Sequence, residues 1–306
     1  MAVFGISTIR CEEDILHETL PAWAEALDLV LVIDCGSTDN SVEVIREVAS
    51  RHPNLLFLGS IGPHHSRQVR RHVWERFRKH LTRHDWWLNA DGDEFIEDGF
   101  RAKLDRAEAE LADHVFSAHV NFYYSAQDYA LWQSGQESLA DRARPIAERR
   151  LYYQMHTTQR RAFRNVPWLH WNTDTQFPER LSMPATERII YRHYQYRDPE
   201  QMKARVEVRR SHAHNTEVVM ENPHWKREDY RDAISSDPLL MHWTPGSEFI
   251  PAGELAQERE TQPLLKTIGK YAIAMGQGAL TKRQPTTWFA DLDVADALRR
   301  AGRKRP

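Results

Sequence analysis

Apolar residues in the first hundred positions fall into short runs separated by polar clusters. Val3 to Thr8 is mostly apolar and β-branched, as a buried strand would be, and Arg10-Cys11-Glu12-Glu13-Asp14 follows it as a polar loop. Ile15, Leu16, Thr19, Leu20 and Trp23 then recur at helical spacing, and Pro21 is expected to kink or end that helix. A second apolar run, Leu29-Val30-Leu31-Val32-Ile33, reaches Asp34-Cys35-Gly36-Ser37-Thr38-Asp39-Asn40-Ser41. Strand, helix, strand in this order predicts a right-handed parallel βαβ unit. Val42, Val44, Ile45 and Val48 continue as an amphipathic helix, Leu55 to Leu58 reads as a third strand, and Trp86 to Ala90 as a further one. The pattern predicts an α/β protein with a doubly wound, mainly parallel sheet.

The chemistry sits where these strands break. Trp86 to Ala90 ends in Asp91-Gly92-Asp93-Glu94-Phe95, two carboxylates spaced D-x-D with a third acid directly after them. Such a pair can converge on a hard divalent cation, Mg2+ or Mn2+. Open α/β sheets bind ligands beyond the carboxyl ends of their strands, so the position agrees with the chemistry. Acid triplets also occur at ordinary exposed turns. After the second strand, Gly36 permits a tight turn, Ser37, Thr38 or Asp39 can cap the helix starting near Ser41, and Asp34 is left at the strand tip. A tip carboxylate can accept hydrogen bonds from a nucleotide base or ribose; alternatively Asp34 and Asp39 only order the turn.

Ile33 to Ser41 resembles the "D-x-G-S-T-D-x-(S/T)" signature of family 2 glycosyltransferases, enzymes of the nucleotide-sugar GT-A fold. Cys11-Glu12 stands where that family usually has Asn-Glu, and Arg67 to Arg71 is similar to its basic segment ahead of the D-x-D strand. Asp91 to Phe95 resembles the "D-x-D-E-F" variant of a subset, and Arg192 to Gln201 resembles that subset's "H-Y-x-Y-R-S-P-E-Q" segment, with Asp198 in place of Ser. These matches fall in order over roughly the first two-thirds of the chain.

The resemblance implies roles for individual residues. Glu12 and Asp34 would contact the base or ribose, with Ser37 in the same binding loop, and Arg67 would approach the ribose or diphosphate. Asp91 would lie near the ribose and the metal, Asp93 would coordinate the metal bridging the phosphates, and His193 would be a further metal ligand. A histidine satisfied at a strand end is the other reading of His193. The implied reaction is metal-dependent transfer of a sugar, in an inverting manner, from a nucleoside-diphosphate sugar, UDP first, to a glycan or glycolipid hydroxyl. The metal stabilises charge on the departing diphosphate, and a general base takes the acceptor proton. The segment Arg161 to Thr175 resembles the family stretch "F-R…G-x-H-E", with Trp168 for Gly and Trp171 for Glu. His170 or Asp174 is then the candidate base; His170 packing between tryptophans and Asp174 capping a turn is the alternative.

The rest of the chain is less specific. Asn121 to Tyr124, Tyr129, Trp132 and Tyr152-Tyr153 form an aromatic-rich middle that suits either sugar rings or a core. Residues 1–200 are expected to form the GT-A nucleotide-sugar domain and 201–306 an α-rich extension, with a helix over Leu264 to Ala279. Arg299 to Pro306 is a basic tail, suited to solubility or to weak attachment at an anionic membrane surface.

Composition narrows the classes. A net charge of −3 argues against broad electrostatic binding of nucleic acid. The two cysteines, Cys11 and Cys35, offer no disulfide framework and no C-x-x-C zinc pattern. Of 16 histidines, the tightest clusters, His64-His65 and His212-x-His214, lack zinc-site spacing. There is no long apolar run and no basic-then-apolar leader, so a cytoplasmic location is expected. Two rivals remain. A sugar nucleotidyltransferase would show a Gly-rich phosphate loop after the first strand, where this chain has Arg10-Cys11-Glu12-Glu13. A non-catalytic carbohydrate- or nucleotide-binding protein on the same fold is the other.

Overall fold

The computed structural model describes residues 1–62, 66–171, 177–179, 181, 183–213, 229–251, 268, 272, 289, 292–300 and 302. The first apolar runs form β1 (Val3–Ile9), β2 (Leu29–Asp34), β3 (Leu55–Ser60) and β4 (Trp86–Asn89), and the periodic segments between them form α1 (Leu16–Ala26), α2 (Ser41–Arg51) and α3 (Ser66–Phe77). Then follow β5 (Glu94–Ile96), α4 (Phe100–Ala109), β6 (His114–Phe122), α5 (Ala126–Gln133), α6 (Ile146–Arg149), β7 (Tyr152–Arg164), β8 (Ile189–His193), α7 (Pro199–Ala213), β9 (Met241–His242) and α8 (Val294–Arg300). The sheet order is β3-β2-β1-β4-β7-β6-β8-β5, with β9 on β7. It is parallel from β3 through β4 and turns antiparallel at β7. This is the α/β architecture, parallel through its first four strands, expected from the sequence.

Alternation along the strands explains the two layers. On one face Val30, Val32, Trp86 and Leu88 pack against Leu16, Leu20 and Trp23 of α1, Val44, Ile45 and Val48 of α2, and Phe100 and Leu104 of α4. On the other, Phe4, Ile6, Leu29, Leu31 and Trp87 meet Val69, Val73, Trp74 and Phe77 of α3 and Leu298 of α8. A strand buried on both faces has no polar side to show, which is why β2 is apolar at every position but its tip.

Of the two outcomes expected at Pro21, an end to the helix is not found. Helix α1 continues past Pro21 to Ala26 instead of ending there. Proline removes a single intrahelical donor. Leu20, Trp23 and Ala24 are buried around it, and the final turn still closes through Leu27 N–H on the Trp23 carbonyl at 3.0 Å.

Two compact units divide the chain. One comprises Met1–Ala118, Thr158–Tyr191 and Ala256–Pro306, and holds the two layers just described. The other comprises His119–Thr157 and Arg192–Leu255. Its core is aromatic: Phe122 stacks on Tyr194 at 4.4 Å, and Tyr153, Trp243 and Phe249 close around it. The expected boundary at residue 200 falls inside α7. Most of the expected α-rich extension, including nearly all of the helix expected over Leu264 to Ala279, lies outside the described residues, as do 303–306 of the basic tail. Arg299 and Arg300 are in α8, both paired with Asp296. Among the described residues, no helix is long and apolar enough to cross a membrane.

Gly5 lets β1 lie close to its neighbours. A Cβ there would stand 2.5 Å from Leu27 Cδ1 and 3.3 Å from the Ala90 Cβ. Gly5→Ala is expected to cost about 1–2 kcal/mol through overpacking, read as a lower urea midpoint with an unchanged slope. A midpoint equal to or above wild type would show that Leu27 yields freely.

Candidate active site at the strand tips

Strand register brings three tips together. Ile9 pairs with Asp34 and Ile6 with Asn89, so β2, β1 and β4 end side by side and release their loops at one edge. Cys35 N–H continues the ladder onto the Ile9 carbonyl at 2.8 Å, and Ala90 N–H onto that of Ile6 at 3.1 Å.

The loop after β2 holds the loop after β1. Three successive amides are read by three signature side chains: Cys11 N–H donates to Ser37 Oγ at 2.9 Å, Glu12 N–H to Ser41 Oγ at 2.9 Å, and Glu13 N–H to Asp39 Oδ2 at 3.2 Å. Glu13 answers by accepting from Asn40 N–H at 2.7 Å. Asp34, buried, accepts from Ser37 N–H at 3.0 Å and Gly36 N–H at 3.3 Å, closing a turn in which Gly36 has φ +82°. Asp39 accepts Ser41 N–H at 3.1 Å, just ahead of α2. Asp34, Ser37 and Asp39 therefore order the turn, and Glu12 is carried on a backbone fixed by them. Both cysteines are free thiols. Burial, with Asp34 adding to it, pushes Cys35 up to about 12 and leaves it unreactive.

The D-x-D loop is fixed in a different way. Thr19 Oγ1 donates to the Gly92 carbonyl at 2.8 Å and Trp23 Nε1 to that of Asp91 at 3.1 Å, so α1 holds the loop backbone. Gly92 sits where a Cβ would press Leu16 Cδ2 at 3.2 Å, which accounts for glycine between the aspartates. Both oxygens of Asp91 are engaged by buried arginines, Oδ1 by Arg70 from α3 and Oδ2 by Arg161 Nη1 from β7 at 2.6 Å. Arg161 also pairs with Glu94, and Arg70 with Thr8 Oγ1 at 3.0 Å. Burial would raise the Asp91 carboxyl, and the Asp93 charge adds to that, but the two guanidiniums outweigh both and hold it below the ordinary range. Burial likewise opposes the charge on Arg161, and Glu94 and Asp91 together drive its pKa upward. Asp91, expected near ribose and metal, is the anchor of two cations. Asp93 is buried in the same loop.

A polar stripe runs along β6. Every residue of this strand is buried, yet Ser117, His119 and Asn121 share one face by alternation. His193, at the end of β8, meets His119 edge-on, ring centroids 6.1 Å apart at 87°. Its Nδ1 lies 2.9 Å from Asn121 Oδ1. One pair of metal-ligating type stands together within the second unit, His119 and His193. It shares only His193 with the set expected from sequence. Arg161, Glu94, His119 and Asn121 went unassigned there, although polar residues alternating through an apolar strand were a legible signal for the last two.

The remaining expected residues are quickly placed. Arg67 lies in α3 with its side chain outside the described residues, and Asp174 is outside them altogether. His170 is half-buried and bridges by backbone to Glu179, whose N–H reaches the His170 carbonyl at 2.6 Å. Trp171 is core, edge-on to Phe163 at 5.3 Å.

No family model matches this sequence, and no curated protein matches it. Solved structures do. S. aureus TarS 1-349 aligns at 12% identity with a TM-score of 0.35, over 73% of this chain and 66% of that one. Mannosyltransferase PcManGT from Pyrobaculum calidifontis, in complex with GDP-Man and Mn2+, aligns at 15% identity with a TM-score of 0.37, over 68% of this chain and 61% of that one. The chain thus spans about two-thirds or less of the length of either. Likenesses of this degree assign no residue a role.

The Asp91 bracket makes a pH-dependent prediction. Its carboxyl titrates lower folded than unfolded, so its contribution is complete above the unfolded value of about 3.9 and is lost as pH falls through the folded value. Asp91→Asn should lower the unfolding free energy at neutral pH by about 2–3 kcal/mol, below the full cost of breaking a buried pair because Asp91 is partly exposed. The gap to wild type should close under acid conditions. A gap that persists undiminished at about pH 2, well under the ordinary carboxylate range, contradicts the assignment.

Proposed function

We propose that this chain is a glycosyltransferase that moves a sugar from a nucleoside-diphosphate sugar to a hydroxyl of a glycan or glycolipid. One observation carries the reading: β2, β1 and β4, neighbouring parallel strands, end together in acidic loops whose backbones are already fixed, at the edge where open α/β sheets take ligands. Asp34 accepts two of the roughly four hydrogen bonds a carboxylate can take, which leaves capacity for a ribose or base. Glu12 and Ser37 border the same loop, and Arg67 on α3 is assigned to the diphosphate.

The residues present fit a divalent cation. His119 and His193, side by side in the second unit, offer two imidazoles. Imidazole is a poorer donor to Mg2+, which holds to oxygen ligands, than to Mn2+, so of the two cations expected Mn2+ is the one we assign. We assign Asp93, the buried acid beside Glu94, to the same cation, and Asp91 to holding the loop. When bound, the cation stabilises the charge that develops on the departing diphosphate. The protein then needs no acid for the leaving group. It needs a base for the acceptor hydroxyl, whose proton departs as oxygen bonds to the anomeric carbon and the sugar–phosphate bond breaks. His170 and Asp174 are the candidates for that base in an inverting reaction.

The test is slow donor hydrolysis, which requires no known acceptor, across UDP-, GDP- and dTDP-sugars with and without Mn2+. Turnover of one nucleotide class is expected only with the metal. In parallel, His193→Ala and Asp93→Ala should each weaken Mn2+-dependent binding of the nucleoside diphosphate by at least about tenfold with melting temperatures near wild type. If no nucleotide sugar is hydrolysed and no nucleoside diphosphate raises the melting temperature of the wild-type protein, the proposal fails.

A further inference from the structure

We infer that Asn121 is a positioning residue that fixes His193 as the Nδ1–H tautomer and so presents Nε2 as its ligating nitrogen; the inference rests on the reading of His193 as a cation ligand. Neutral imidazole carries one hydrogen, and which nitrogen holds it depends on the partner of the other. Asn121 Oδ1, an acceptor only, stands 2.9 Å from His193 Nδ1, so Nδ1 donates and the lone pair is left on Nε2. The amide is itself held: Asn121 Nδ2 donates to Thr157 Oγ1 at 2.9 Å, from β7. The next residues reinforce this pairing, because Phe122 stacks on Tyr194 at 4.4 Å and 13° and keeps the ends of β6 and β8 in step. Asn121 is nine-tenths buried, which protects the bond from exchange with water.

This arrangement is what a metal-binding histidine requires of its surroundings. The ring must not rotate and the ligating nitrogen must not carry a proton, and a hydrogen bond at the opposite nitrogen secures both. A bare histidine at a strand end satisfies neither condition. Asn121 thus acts through His193.

The tautomer can be read without any metal, from the 15N shifts of His193 in protein labelled at histidine, with His193→Gln used for assignment. The wild type is expected to show a protonated Nδ1 and an unprotonated Nε2, and Asn121→Leu, similar in shape but without an acceptor, a mixture of both forms. Mn2+ affinity, from the electron paramagnetic resonance signal of free Mn2+, should fall about 10- to 100-fold in Asn121→Leu. It should return to wild type or better in Asn121→Asp, which still accepts from Nδ1. A wild-type spectrum with the proton on Nε2 overturns the inference, as does Mn2+ affinity in Asn121→Leu equal to wild type. A wild type with the Nδ1–H tautomer that takes up no Mn2+ overturns the ligand role of His193 instead, and leaves Asn121 with the tautomer alone.

Discussion

Charge neutralisation at the tip of β4 is the constraint on which the candidate site depends. Asp91, Asp93 and Glu94 crowd three acids into four residues. Like charges about 4 Å apart repel by roughly 4 kcal/mol near a protein surface, enough to splay such a loop or protonate part of it. Two permanent cations prevent this. Arg161 reaches Asp91 and Glu94 together, and Arg70 takes the other Asp91 oxygen. Guanidinium does not deprotonate in proteins, so the compensation holds at every working pH. The loop keeps its charge and its shape, and Asp93 is left in a frame that its neighbours have already stabilised.

A similar economy governs the loop between β1 and α1. Ser37, Asp39 and Ser41 form the most recognisable stretch of the sequence, and their oxygens are spent on the amides of Cys11, Glu12 and Glu13. The motif is thus first a device for holding one loop against another. It also explains the departure at Cys11. That residue has φ +54°, a left-handed conformation that asparagine tolerates better than most residues and that the resembling family fills with asparagine. Here cysteine occupies it, held by Ser37 at its amide and by Thr38 N–H at its sulfur, 3.5 Å away. The strained residue is fixed from both sides, which places Glu12.

How much of this was legible in the sequence follows from the range of each interaction. Strands β1 to β4 and helices α1 and α2 were readable because their apolar patterns are local and periodic. The position of the acids was readable too, since strand tips follow from strand ends. The partners were not. Arg161 is 70 residues from Asp91 and reaches it only because β7 enters antiparallel beside β4, a pairing that no local pattern announces. Pro21 shows the opposite limit: the local rule allowed an end to α1 there, and the burial of Leu20 and Trp23 accompanies its continuation to Ala26. The stripe of Ser117, His119 and Asn121 was visible as an anomaly, because a strand buried on both faces has no need of three alternating polar side chains.

The segment after β8 shows how site and scaffold share one stretch of sequence. His193 is followed by residues that face inward to bind one another. Arg197, fully buried, donates to the Tyr194 carbonyl at 2.9 Å, and its own carbonyl accepts from Arg150 Nε at 2.6 Å. Asp198 replaces the serine of the resembling family and does more than a hydroxyl could. It takes a two-point contact from Arg142, 2.9 Å at each oxygen, while accepting Gln201 N–H at 2.9 Å at the start of α7. Burial would raise its carboxyl; the Arg142 pair and the Gln201 amide outweigh that and keep it ionised. Proline at the first position of α7 costs no hydrogen bond there. The chain leaving His193 is therefore pinned within four residues. A side chain at the end of a strand would otherwise swing with a loop, and the buried Arg150 and Arg197 keep His193 from doing so.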